Sequence, residues 1–339
     1  LCPCTESFAI RSGTPEGALK PVLLYVHGGG FRILSKDTHW PLALSFAEEG
    51  YVVFNVNYRL SPEHPCPAAL EDCALALQWL WEHAESFGAD PHNISVAGES
   101  AGGNLSLALA LGLARPIDTG WGRALFERAV REERRLSAVM PSCGFHEVAR
   151  GAERLRGQVH PFILGRLELL AGAYLEGSEH PTLAEPLAEL ESLAEARLNT
   201  NPSPQAQPFK RALPPFLVTV GARDPIATQS ERLHRALLGC GVQSEFVSYP
   251  REGHAFHALL WREGSRRCWR DHFAFLKPLT SAVILALFIA SALSPQLVEA
   301  APKGLSKSLI SHYQLRSIGD QSNMLLSYRN PSSVAVELF

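Results

Sequence analysis

The sequence predicts an α/β protein with a mostly parallel central sheet flanked by helices. Three observations predict it. Short runs rich in Val, Ile, Phe and Leu alternate with longer helical stretches, which is how repeated strand–helix–strand units read. The short runs are apolar at nearly every position, as strands covered on both faces must be. Several of them end in turns that carry glycines and reactive side chains, at the sheet edge where α/β proteins bind ligands.

The strands fall at Val22–Val26, Val52–Asn57, Ile94–Ala97, Ser137–Met140, Phe216–Val220 and Glu245–Tyr249. Ser7–Arg11 reads as an earlier edge strand. Helical patterns occupy Ala68–Phe87, Ala101–Ala114 and Ala227–Gly239, the last stopped by Gly239 and Gly241. Residues Phe145 to Arg211 break the alternation. They are helical in composition, end in the Pro/Asn/Gln-rich stretch Asn199–Pro208, and lie between two strands, so they read as a cap over the C-terminal sheet edge. The expected organisation is a domain over 1–279, with a cap-like insertion at 145–211, and an extension over 280–339. The chain starts at Leu1 and reads as beginning inside a domain. In the extension, the apolar run Ser281–Leu293 reads in three ways: a C-terminal helix, a join to unrelated sequence, or a membrane anchor. It is shorter than the roughly 20 residues that span a bilayer.

Composition narrows the partners. The 339 residues are 46% hydrophobic and 19% charged, enough apolar material for a large core. With 31 Lys and Arg against 34 Asp and Glu, the formal charge of −3 points away from nucleic acid. The arginines of Arg131–Arg135 are interleaved with Glu132 and Glu133, as on a solvated helix face. Seven scattered cysteines (Cys2, Cys4, Cys66, Cys73, Cys143, Cys240 and Cys268) show no metal-ligand spacing. Their odd number fits reduced thiols and a cytoplasmic location. No metal site is implied.

The chemistry concentrates at four places. Gly98-Glu99-Ser100-Ala101-Gly102 lies between a strand and a helix, the context in which a G-x-S-x-G turn presents a serine nucleophile. The helix that follows aims its free N–H groups and partial positive charge at a developing oxyanion. His27-Gly28-Gly29-Gly30 follows the first strong strand, where amides of Gly28, Gly29 and Gly30 join that of Ala101 as oxyanion donors. No Lys-Ser/Thr ending follows these glycines, which argues against a phosphate loop. His27 reads as a brace for the loop. Asp224, after Phe216–Val220, and His254, after Glu245–Tyr249, complete the order Ser, Asp, His that this architecture delivers. His257 is a rival base and Glu252 a rival orienter; Glu71 and Asp72 read as structural. Glu99 reads either as a tuning group or as an anchor of the elbow.

Four segments resemble the hormone-sensitive-lipase-like family of α/β hydrolases: HGGGF at His27–Phe31, YRLSPEHPCPAALEDC at Tyr58–Cys73, GESAGGN at Gly98–Asn104, and the DP and GHAF pieces at Asp224 and His254. The resemblance covers about Ser7 to Leu279. It implies an eight-stranded sheet with a helical cap, and a cofactor-free esterase or lipase acting on short- to medium-chain carboxylic esters. The family's N-terminal cap helices have no counterpart here, and Arg115–Arg135 and Glu185–Arg211 run longer than its pattern. Two other functions fit the same motifs: an amide or N-acyl hydrolase on the same triad, and a non-catalytic small-molecule receptor on the same fold. A receptor is expected to lack the histidine, which this chain keeps.

Overall fold

The computed structural model describes residues 7–12, 18–198, 209–293, 315–317 and 334–338, with side chains for 18–198 and 209–279. Cys2, Cys4 and the stretch Asn199–Pro208 lie outside the described residues. Six parallel strands form the centre: β2 (Lys20–Val26), β3 (Val52–Val56), β4 (Ala89–Glu99), β5 (Leu136–Ser142), β6 (Phe216–Gly221) and β7 (Ser244–Tyr249). With β1 (Ser7–Ser12), β8 (Leu315–Ser317) and β9 (Val334–Leu338), the order across the sheet is β7-β6-β5-β4-β2-β3-β1-β9-β8.

Two expectations are corrected here. The sheet has nine strands among the described residues rather than eight: seven, β1 to β7, lie within the span of the resemblance, and β8 and β9 come from beyond it. Ser7–Ser12 is not an edge strand: β3 pairs with it antiparallel on one side and β9 does so on the other. The six central strands fall where the apolar runs predict them.

Side-chain parity explains the layering. Along β2, Val22, Leu24 and Val26 enter one core, while Leu23 and Tyr25 enter the other. The first core is filled by α2 (Ala68–His83), α3 (Ala101–Ala114), α4 (Gly120–Arg131) and α8 (Ala227–Gly239). The second is filled by α1 (Trp40–Glu48), through Leu42, Ala43, Phe46 and Ala47, and by α9 (Glu263–Leu293), through Trp269, Phe275 and Leu276. Both faces are therefore covered, which is why the strands read as unbroken apolar runs. Helix α3 is buried along its whole length. That suits a sequence of Ala, Leu and Gly, with Asn104 and Ser106 as its polar residues and no charged one.

Between β5 and β6 the chain passes through α5 (Ala149–Leu155), α6 (Pro161–Leu175) and α7 (Pro186–Leu198). The apolar run Ser281–Leu293 continues helix α9 without a break at 279. Among the described residues no helix is long and apolar enough to cross a membrane.

The sheet order positions the site. β3 lies on one side of β2 and β4 on the other, so the loops after β2 and β4 diverge from a topological switch point. Val26 at the end of β2 faces Gly98 near the end of β4 in register, which sets the glycine loop beside the serine turn.

Candidate active site

Ser100 occupies the single residue between β4 and α3, at φ 53° and ψ −114°. A side chain rarely tolerates that conformation, and here the surroundings hold it in place. The Ser100 amide donates to Ser142 O at 3.0 Å, and Phe145 N donates to Ser100 O at 3.0 Å, so the end of β5 clamps the turn. Gly102 lets α3 start hard against β2: a Cβ there would lie 2.0 Å from Val26 O.

The glycine loop is held from both sides. Gly29 has φ +110°, and a Cβ on it would meet Ile33 O at 2.0 Å, so no other residue fits. Its carbonyl accepts from Arg32 N and Ile33 N at 3.1 Å, closing the loop. Below it, the Tyr58–Cys73 segment acts as a buttress, which gives that motif a physical meaning. Tyr58 stacks on His27, ring centroids 4.3 Å apart, and donates its hydroxyl to His27 O at 2.9 Å. Ser61 N and Oγ both donate to Phe31 O. Arg59 is locked by Asp72 through Nε at 2.9 and 3.0 Å and by Glu71 through Nη2 at 2.7 Å. His27 is itself buried. Burial pulls its pKa down to about 4, so it sits as a neutral brace.

Asp224 and His254 arrive on adjacent loops. β6 and β7 pair in register up to Gly221 and Tyr249, and a Cβ on Gly221 would lie 2.4 Å from Glu252 O, so the two loops touch. Asp224 is buried at the start of α8, where its Oδ1 accepts from Ile226 N at 2.9 Å. Its Oδ2 meets His254 Nδ1 at 2.8 Å, and His254 Nε2 meets Ser100 Oγ at 3.0 Å. The three side chains thus form one hydrogen-bonded line. Desolvation opposes charging of His254, but the hydrogen bond and charge of Asp224 outweigh it, leaving the imidazole pKa above its usual 6.5. The histidine side chain is 37% exposed, open to an arriving substrate.

The rival groups are occupied elsewhere. Glu252 Oε2 accepts from Arg262 Nε at 2.8 Å. His257 is buried, with its Nε2 3.8 Å from Glu99 Oε2. Of the four oxyanion candidates, Gly28 must be withdrawn: its amide donates to Glu99 Oε1 at 2.7 Å, and an N–H has one proton to give. Among the described residues no protein acceptor is recorded for the amides of Gly29, Gly30 or Ala101.

Glu99 resolves as an anchor, with partners that its local sequence does not reveal. It is buried and accepts from Gly28 N, from the Tyr25 hydroxyl, and from His39 Nε2 at 2.6 Å. Burial works against its ionisation, but His257 and His39 more than compensate and hold the carboxyl well below the usual range. His39 is correspondingly raised, its own burial outweighed by its contact with Glu99. This buried ion pair ties the residue before the nucleophile to the first amide of the glycine loop. Glu99→Ala would leave three donors without an acceptor. It is expected to cost about 3–5 kcal/mol, read as a lower urea midpoint, with Glu99→Gln recovering part of the loss. An alanine variant as stable as the parent chain would remove the anchor role.

A serine turn after the fourth strand, an aspartate after the sixth and a histidine after the seventh, around one mostly parallel sheet, define an α/β hydrolase. The family described as alpha/beta hydrolase fold matches residues 23–258, well over half of the chain. A carboxylesterase of Mycobacterium tuberculosis, NlhH, is 48% identical over 98 residues, which are 29% of this chain and 30% of that protein. Mouse hormone-sensitive lipase is 38% identical over 93 residues, 27% of this chain and 12% of the lipase. The chain thus spans under a third of the length of these curated relatives. The crystal structure of esterase LipW from Mycobacterium marinum superposes with a TM-score of 0.59 at 26% identity, covering 81% of this chain and 77% of that one. The chain belongs to the hormone-sensitive-lipase-like family of α/β hydrolases.

Proposed function

We propose that this protein hydrolyses carboxylic esters of short to medium acyl chain, with Ser100 as nucleophile, His254 as general base and acid, and Asp224 as its orienter. The observation that carries the reading is the line Ser100 Oγ, His254 Nε2, Asp224 Oδ2, at 3.0 and 2.8 Å, beside the start of α3 and the glycine loop. Its relatives bear the names carboxylesterase, esterase and lipase, which supports the same class.

Each step uses a group already placed. His254 Nε2 takes the Ser100 proton as Oγ attacks the ester carbonyl, and Asp224 holds the other ring nitrogen as the imidazolium forms. Negative charge on the carbonyl oxygen falls to the amides of Gly29, Gly30 and Ala101, assisted by the N-terminal end of α3. His254 returns the proton to the leaving alcohol, and a water activated the same way releases the acid from Ser100. We further propose that α5–α7 act as the cap. Leu170 of α6 abuts Gly30, where an added Cβ would meet it at 2.7 Å, and Tyr174 stacks on Phe31 with centroids 3.8 Å apart. Leu170 thus puts an apolar side chain next to the proposed acyl site, and the buried Tyr174–Phe31 stack fastens α6 to the glycine loop.

The test is a panel of p-nitrophenyl esters from acetate to decanoate, run beside the matching anilides across pH. Esters from acetate to about hexanoate should turn over fastest and anilides slowly. The acid limb of kcat/KM should have its midpoint above 6.5. Only neutral His254 accepts a proton, and Asp224 favours the charged form, so activity is lost as pH falls through that raised value. Turnover of the anilides alone would move the assignment to amide hydrolysis, and no turnover of either would leave a receptor.

A further inference from the structure

Cys143 follows β5 and lies close to the paired Asp224 and His254. It is buried and free, held at φ 41°, with its amide donating to Thr219 O at 2.7 Å. A ligand atom from each of Cys143, Asp224 and His254 lies within 4.8 Å of the other two. Thiolate, imidazole and carboxylate are the donor set of a thiophilic divalent cation, with bonds of about 2.0–2.3 Å, and three protein ligands leave a fourth position for water. Among the described residues, no other three His, Cys, Asp or Glu side chains are placed to share one ion.

We infer that Cys143, Asp224 and His254 form an inhibitory site for a thiophilic divalent cation such as Zn²⁺. The inference rests on the proposed role of His254 for its effect on turnover, but not for the binding itself. Binding replaces the Cys143 thiol proton, which leaves to solvent, with a sulfur–metal bond. The ion also takes the Nδ1 lone pair of His254 in place of the hydrogen bond to Asp224, whose Oδ2 becomes a ligand. The single imidazole proton then resides on Nε2, facing Ser100. A nitrogen that carries its proton there cannot accept one, so the serine loses its base while the fold stays whole. One proton is released for each ion bound where His254 is neutral, and two where it is charged, so inhibition tightens as pH rises. Sequence spacing conceals the site, since its ligands come from three separate strand ends.

The experiment has two independent readouts on the full chain. In the first, Zn²⁺ should inhibit p-nitrophenyl butyrate hydrolysis and EDTA should restore it. In Cys143→Ala and Cys143→Ser, each compared with its own metal-free rate, half-inhibition should need at least about tenfold more Zn²⁺. In the second, Co²⁺ added to Ser100→Ala should give a near-ultraviolet thiolate-to-cobalt absorption, and the same addition to Ser100→Ala/Cys143→Ala should not. Equal Zn²⁺ sensitivity in the cysteine variants, a cobalt band that survives loss of Cys143, or no band at all would each overturn the inference. Because the cobalt arm needs no turnover, a chain that cleaves no ester refutes the proposed function without deciding the metal site.

Discussion

Ser100→Ala is expected to abolish ester turnover, by about a million-fold, while leaving the protein folded. The loss follows from the line of hydrogen bonds: without Oγ, His254 has nothing to deprotonate and no acyl-enzyme forms. The fold should survive because the strained turn is held by its neighbours rather than by the hydroxyl. The Ser100 amide and carbonyl are bound by Ser142 and Phe145, and Gly102 lets α3 pack on β2. Alanine also tolerates φ 53° no worse than serine. Two measurements decide it together. Labelling by a fluorophosphonate should vanish with p-nitrophenyl butyrate hydrolysis, and the melting temperature should stay within a few degrees of the parent. Retained turnover would mean that another nucleophile acts.

What the sequence made legible is local. Helices α3 and α8 span the residues their composition predicts, because each runs from a well-marked turn to a break in the helical pattern. Strand β4 begins at Ala89 rather than Ile94, since the polar residues Asp90 to Asn93 hide its first half. Helix α2 stops at His83, and a short 3-10 turn continues to Phe87 before Gly88 turns left-handed. The order Ser100, Asp224, His254 was readable because each follows a strong strand. Contacts across the sheet were not readable. Glu99 meets Tyr25 and His39 only because β2 neighbours β4 and α1 covers that face. Cys143 comes within 4.8 Å of a His254 ring nitrogen only because β5, β6 and β7 lie side by side. Tyr58 under His27 is the same kind of fact: the motif that carried the family resemblance has a reason, and the reason is tertiary. The Gly28 amide shows the cost of reading a loop alone, since its acceptor sits 71 residues away.

Asp224→Asn should lower kcat/KM by about 10⁴ while changing almost no packing. The geometry dictates which way the asparagine turns. Oδ1 accepts from Ile226 N at 2.9 Å, so the amide oxygen is kept there, and the NH2 group is left facing His254 Nδ1. Two donors cannot face each other, so Nδ1 must become an acceptor and the imidazole proton must move to Nε2. The base then points a proton at Ser100 in place of a lone pair. The same substitution removes the carboxylate that raises the His254 pKa, so any residual activity should show its acid limb at lower pH than the parent. Glu252 offers no rescue, being paired with Arg262 at 2.8 Å, and Glu252→Gln should leave turnover within several-fold of the parent. An Asp224→Asn variant with near-parental kcat/KM would break the proposed line at its buried end. A Glu252→Gln variant that lost activity by orders of magnitude would show which carboxylate had taken the place.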